Sequence, residues 1–126
     1  MKSTLTALFA AALAALALPA AAHHSFAVYD MTQNVEFKGV VETLKFRNPH
    51  MAMTLTQTKP DGTKETINFT EGAPANMLVR MGLDPAVIAP GQEITVIGAP
   101  RKDDPHQYFI KSIVLKDGTR FQSIGP

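Results

Sequence analysis

Four histidines are the side chains of this chain best suited to chemistry, and two of them, His23 and His24, are adjacent. His50 follows Asn48-Pro49, and His106 follows Pro105. Neutral imidazole is a general ligand for zinc, copper, iron and nickel. What precedes the adjacent pair sharpens the point. Lys2 supplies a positive start, Leu5 to Leu18 an apolar Ala/Leu-rich run, and Ala20-Ala21-Ala22 a small-residue cleavage site. That is the pattern of a secretory signal peptide, and the run is short for a membrane span. Cleavage after Ala22 leaves His23 with an α-amino group beside its own imidazole, two nitrogens able to chelate one ion. Cleavage after Ala21 or Ala20 instead puts His24 or His23 third from the new terminus. There amine, backbone nitrogens and imidazole bind Cu(II) or Ni(II) in a square plane. Nitrogen-rich tetragonal sites favour copper, so copper is the metal to expect in every register.

His23, His24, His50 and His106 are therefore the candidate metal ligands. The bland alternative is that His50 hydrogen-bonds its corner and His106 is solvated. Met51 and Met53 offer soft thioethers, but their period-two spacing puts both on one strand face, where methionine fills gaps. Met77 and Met81 are one helical turn apart and read as packing. Among carboxylates, Asp30 and Glu71 stand out, yet a helix N-terminus just after Glu71 accounts for its charge. Asp103-Asp104 is a solvated turn. Ser25 lacks the context of a nucleophile elbow, and no glycine loop cradles a phosphate. No catalytic residue emerges, and the expectation is a protein that is not an enzyme.

Removing the first 22 of 126 residues leaves 104, enough for one core. Lys2 is the only charge removed, so 11 basic residues then face 11 acidic ones. A neutral chain has no electrostatic footprint for nucleic acid or anionic lipid. The absence of cysteine rules out disulfides, thiolate metal sites and a lipidated N-terminal cysteine. An exported protein, periplasmic or secreted and with no membrane span after processing, is the expectation.

The elements that must position these residues are short and β-rich. After a leader over residues 23–33, with Phe26, Val28 and Tyr29 as docking side chains, alternation begins at Val35. Val35, Phe37 and Val41 share one phase, and Val40, Leu44 and Phe46 the other. Gly39 lies where the phase changes, which reads as a bulge or sharp coil in a long strand. Asn48-Pro49 ends it. A second strand spans His50 to Thr58, Lys59-Pro60-Asp61-Gly62 turns, and Thr63 to Phe69 returns. Ala73 to Met81 reads as a short helix with Pro74 in its first turn and Gly82 as its stop. Asp84-Pro85 opens a single turn through Ile88. Strands follow over Gln92 to Ala99 and Gln107 to Leu115, and Asp117-Gly118 turns the chain into Thr119 to Ser123. Lys38, Lys45 and Lys111 suit sheet edges.

The order strand, strand, strand, helix, strand, strand matches an OB-fold-like five-stranded barrel over residues 34–126, all-β with one short helix. An open antiparallel sheet with one helix on its face is the other reading. In an OB-fold the connections holding His50 and His106 flank the usual binding face.

Several of these stretches together resemble a known group. His23-His24-Ser25-Phe26 after a signal peptide, Gly39-Val40-Val41, Asn48-Pro49-His50, Glu71 to Gly82, and Pro90-Gly91 leading to Val96-Ile97-Gly98 are similar to exported proteins grouped as domain of unknown function 6152. The resemblance spans nearly the whole processed chain. It implies a small exported β-rich domain and brings no activity or assigned site. Relatives often carry Trp two residues before the Asn-Pro-His corner, where this chain has Phe46, a departure that touches packing.

Two functional expectations follow. One is a periplasmic protein that binds copper or another transition metal through histidines, for storage, delivery or sensing, its leader mobile and chelating. The other is a non-catalytic adaptor whose barrel face takes a small ligand or partner protein, its leader pinned and packed.

Overall fold

Inward-facing residues of five strands close around one core, as the alternation along the chain requires. The computed structural model describes residues 24–123. The expected signal peptide and His23 lie outside them. The strands are β1 (Val35–Lys45), β2 (Ala52–Thr58), β3 (Lys64–Glu71), β4 (Glu93–Pro100), β5 (Gln107–Leu115) and β6 (Arg120–Gln122). A one-turn helix α1 (His24–Ala27) precedes them, and α2 (Ala75–Arg80) and a 3-10 turn (Pro85–Ile88) join β3 to β4.

Neighbours run in the order β3-β2-β1-β4-β5-β6. A parallel pairing of β3 with β5 through Asn68–Gln107, Phe69–Tyr108 and Glu71–Phe109 closes the first five into a barrel. The OB-fold-like architecture is thus the observed one, and the open sheet is not. β6 extends the sheet outside the barrel, where Phe121 pairs with Ile113 and is buried.

Phe37, Val41, Met53, Leu55, Ile67, Phe69, Val96, Ile110 and Ile113 fill the interior. α2 and the turn after it add Leu78, Leu83 and Ile88 to the same core, all but sealed from solvent. Met51 and Met53 are core residues, as their spacing indicates.

Three local expectations are corrected. The phase change in β1 falls between Val41 and Thr43, where the register against β2 shifts, and not at Gly39. α2 begins at Ala75 because Pro74 is its N-cap, with extended ψ of 141°. Gly82, at φ +92°, ends it as expected. The Gly82 N–H bonds the Val79 carbonyl at 2.9 Å and the Leu83 N–H bonds that of Leu78 at 3.0 Å, a Schellman closure. Met81 is 43% exposed and so does not pack as its spacing from Met77 suggests; the helix has already ended before it.

Candidate functional site

The leader is pinned along residues 26–31. Asp30 N–H bonds the Pro100 carbonyl, and Lys102 N–H bonds that of Val28, each at 2.8 Å. Tyr29 and Arg101 thus face each other in an antiparallel bridge at the end of β4. The Phe26 and Tyr29 rings lie 5.4 and 5.5 Å from that of Phe109, with Ala99 beneath in a second, smaller core. Lys111 serves this docking rather than a sheet edge, since its Nζ donates to the Met31 carbonyl at 2.8 Å. Asp30 is spent on its own turn, accepting from Thr32 and Gln33, and those hydrogen bonds hold its carboxyl below the usual range.

The pinned leader lies at the barrel end that carries His50. Asn48-Pro49, a cis peptide, turns the β1–β2 connection, and Met51 N–H reaches the Ala73 carbonyl at 3.1 Å. His50 Nδ1 lies 3.1 Å from the Gly72 carbonyl oxygen. A carbonyl only accepts, so Nδ1 carries the proton and donates. His50 Nε2 then lies 3.5 Å from Glu71 Oε1, with the histidine side chain 43% exposed and the glutamate 15%. Glu71 Oε1 is buried and has no hydrogen-bond partner. Glu71 pairs with Phe109, on which the leader sits.

Beside Glu71, Tyr29 Oη is 3.0 Å from Thr70 Oγ1. Burial pushes the Tyr29 phenol above its ordinary 10.0, and the Glu71 charge adds to this against the Thr70 hydrogen bond and Arg101. Tyr108 is raised too, by burial and then by Glu65. Both phenols therefore keep their protons in the folded state beyond the pH at which the unfolded chain releases them. Stability contributed this way is whole below pH 10 and drains away as pH rises through the folded values. A spectrophotometric phenol titration, paired with urea melts at pH 9 and about pH 11, should show both ionisations late and a lower urea midpoint at the higher pH. Ionisation at the ordinary value would contradict it.

The candidate ligands are divided by this arrangement. His24 opens α1, two residues before the docked Phe26. His106 does not join them. It sits in an exposed turn where its N–H bonds Asp104 Oδ1 at 3.0 Å. The next residue, Gln107, pairs with Asn68, four positions before Gly72, or about 13 Å along the strand. Among the described residues no group of three or more His, Cys, Asp or Glu side chains is placed to hold a metal ion.

Glu71 and Tyr29 carry more of this site than the sequence suggests. Glu71 continues the inward alternation of Ile67 and Phe69, a signal that the nearby helix start obscures. Tyr29 reads as a docking residue and is one, but nothing local announces its proximity to Thr70 and Glu71.

One family model matches the chain, over residues 11–110, and its description is a family of unknown function, DUF6152. No curated protein and no solved structure matches the chain.

Proposed function

The chain belongs to the DUF6152 family of unknown function, and we propose that it is an exported copper-binding protein whose site is completed by its processed N-terminus. The observation that carries this reading is the meeting of two acceptors. With Nδ1–H given to Gly72, a neutral His50 turns the lone pair of Nε2 toward a buried carboxylate oxygen that also only accepts. Such a pair needs a cation, either a proton or a metal ion. Metal-ligating histidines commonly donate their other nitrogen to a backbone carbonyl, as His50 does.

The docked leader supports the rest. It fixes Phe26 and Tyr29 on the strand beside Glu71, so a terminus created three residues before Phe26 has only a short way to travel. Cleavage after Ala22 would supply the His23 amine and imidazole, with His24 available next. Two nitrogens from His23, Nε2 of His50 and an oxygen of Glu71 make the nitrogen-and-oxygen set that suits tetragonal Cu(II). The role is storage, delivery or sensing, with no catalytic step.

The test is Cu(II) titration of protein exported through its own leader, its start fixed by intact mass. One copper per chain is expected, with nitrogen hyperfine splitting in the electron paramagnetic resonance spectrum. One extra residue before His23, His50→Ala and Glu71→Gln should each weaken binding by about 10–100-fold, while His106→Ala should not. Equal affinity in the parent, the extended chain and His50→Ala would end the proposal.

A second reading is favoured by the leader itself. A pinned, packed leader is what a non-catalytic adaptor for a small ligand or partner protein calls for. From the sequence the metal reading goes with a mobile leader, and residues 26–31 are pinned instead; on that reading the pinning would serve to hold the processed terminus near His50.

A further inference from the structure

The outer face of the barrel carries a second place where a ligand fits, with a lining that includes neither His50 nor Glu71. An open groove of about 270 Å³ crosses β1, β2 and β3. The ladder register explains why it is there. Thr43 pairs with Thr54, which pairs with Asn68, and these three form one row. In the next row Lys45 pairs with Ala52. Alternation puts these side chains on the face opposite Met53 and Phe69, which fill the core. Ala52 has only a methyl group where its neighbours have longer chains, so the middle of the second row is hollow. Lys45 flanks that hollow, Thr70 lines it from β3, and Arg47 joins from the β1–β2 connection.

The chemistry of this lining is one-sided. It holds two cations, three threonine hydroxyls and an asparagine amide, and no carboxylate. The lysine and arginine ion pairs among the described residues are Lys38–Glu93, Lys59–Glu65 and Arg101–Asp103, so neither Lys45 nor Arg47 is neutralised. In a chain of formal net charge +1 this is a concentrated positive spot. Thr43 and Thr54 share a hydrogen bond at 2.8 Å, which holds their hydroxyls in place at its edge.

We propose that this groove binds a compact solute through a carboxylate or phosphate group. Arg47 supplies a planar fork that matches two oxygens of either anion, and Lys45 a point charge. The Thr54 hydroxyl and the Asn68 amide can donate to the remaining oxygens, while Thr70 shares its hydroxyl with Tyr29. A volume somewhat under the usual 300–1,000 Å³ of small-molecule sites limits the occupant to a small molecule or a single head group. Phe69 is the only aromatic in the lining and is 1% exposed, so no ring is offered for base stacking. That argues against a nucleic-acid strand.

The experiment is a nuclear magnetic resonance titration of 15N-labelled protein in chelator, so that no metal contributes. The probes are inorganic phosphate, glycerol phosphate and succinate, which separate phosphate from carboxylate recognition. Saturable amide shifts confined to residues 43–54 and 68–70 are expected for at least one probe, with a Kd near or below about 1 mM. Lys45→Gln and Arg47→Gln should each weaken binding at least about 5-fold, added salt should weaken it further, and the double variant should abolish it. Both side chains are exposed, so unchanged thermal melts will show that the variants fold. His50→Ala should bind each probe like the parent, which separates this proposal from the copper site. Linear, unsaturable shifts for all three probes up to about 20 mM, or saturable binding that survives the double variant, would overturn it.

Discussion

Replacing Phe109 by alanine is expected to destabilise the protein by about 3–5 kcal/mol, at the upper end for a core truncation. Phe109 is 2% exposed and sits where three things meet: the outer wall of β5, the closing pair with Glu71, and the leader. Its loss leaves a cavity and removes both aromatic contacts that seat Phe26 and Tyr29, each worth about 0.5–1.5 kcal/mol beyond burial. What remains at the leader is mostly exposed hydrogen bonding, such as Lys102 Nζ to the Ala27 carbonyl at 2.9 Å. Bonds of that kind each contribute about 1 kcal/mol, too little to hold residues 26–31 against their conformational entropy. Urea denaturation should show the lost stability, and chymotrypsin should cut at Tyr29 in the variant and spare it in the parent. A leader still protected after the change would mean that the ring is not its anchor. On the proposed copper site, the same variant is expected to bind Cu(II) more weakly than the parent in the titration described above.

Gly39→Ala should destabilise by about 2–3 kcal/mol, against the direction that strand propensity alone would give. In most strand positions alanine in place of glycine relieves the entropy of an over-free chain. Here a Cβ would meet the Thr56 carbonyl oxygen at 2.6 Å and its carbon at 3.1 Å. Both are backbone atoms of the paired strand, so no rotamer change relieves the clash. β1 and β2 would have to part near the Val40–Thr56 pair. Thermal melting of the variant decides it, and a melt at or above that of the parent would show that the strands can separate there at no cost.

That glycine also shows where reading the chain stops. Alternation, the Pro-Asp-Gly turn and the Gly82 stop each depend on a few neighbouring residues, and each places an element correctly. Their order is enough to point to the barrel. Gly39 is needed because of Thr56, a contact set by how tightly β1 coils over β2, and no local pattern encodes that distance. The true irregularity, two residues further on, has no glycine to mark it. The site follows the same division. His50 and Glu71 are each visible as titratable residues at strand ends, but their meeting depends on the β1–β2 connection folding against the chain just past β3. His106 misleads in the opposite sense. Its loop lies where OB-folds commonly bind their ligands, yet the parallel register of β3 and β5 sets it several positions away from His50. Tyr29 reveals its role only once the leader has an Arg101 to lie against.

The β3–β5 join rests on three residue pairs and a register shift, whereas β2 and β3 share six pairs and β4 and β5 share seven. It also links positions 68 and 107, so it forms only after a long stretch of chain has been drawn together, at an entropic cost the hairpins avoid. The barrel is therefore a cuff with a short clasp. Glu71 and Phe109 are one of the clasp's three pairs, so a fluctuation that springs it would bare the carboxylate and unseat the N-terminal segment in a single event.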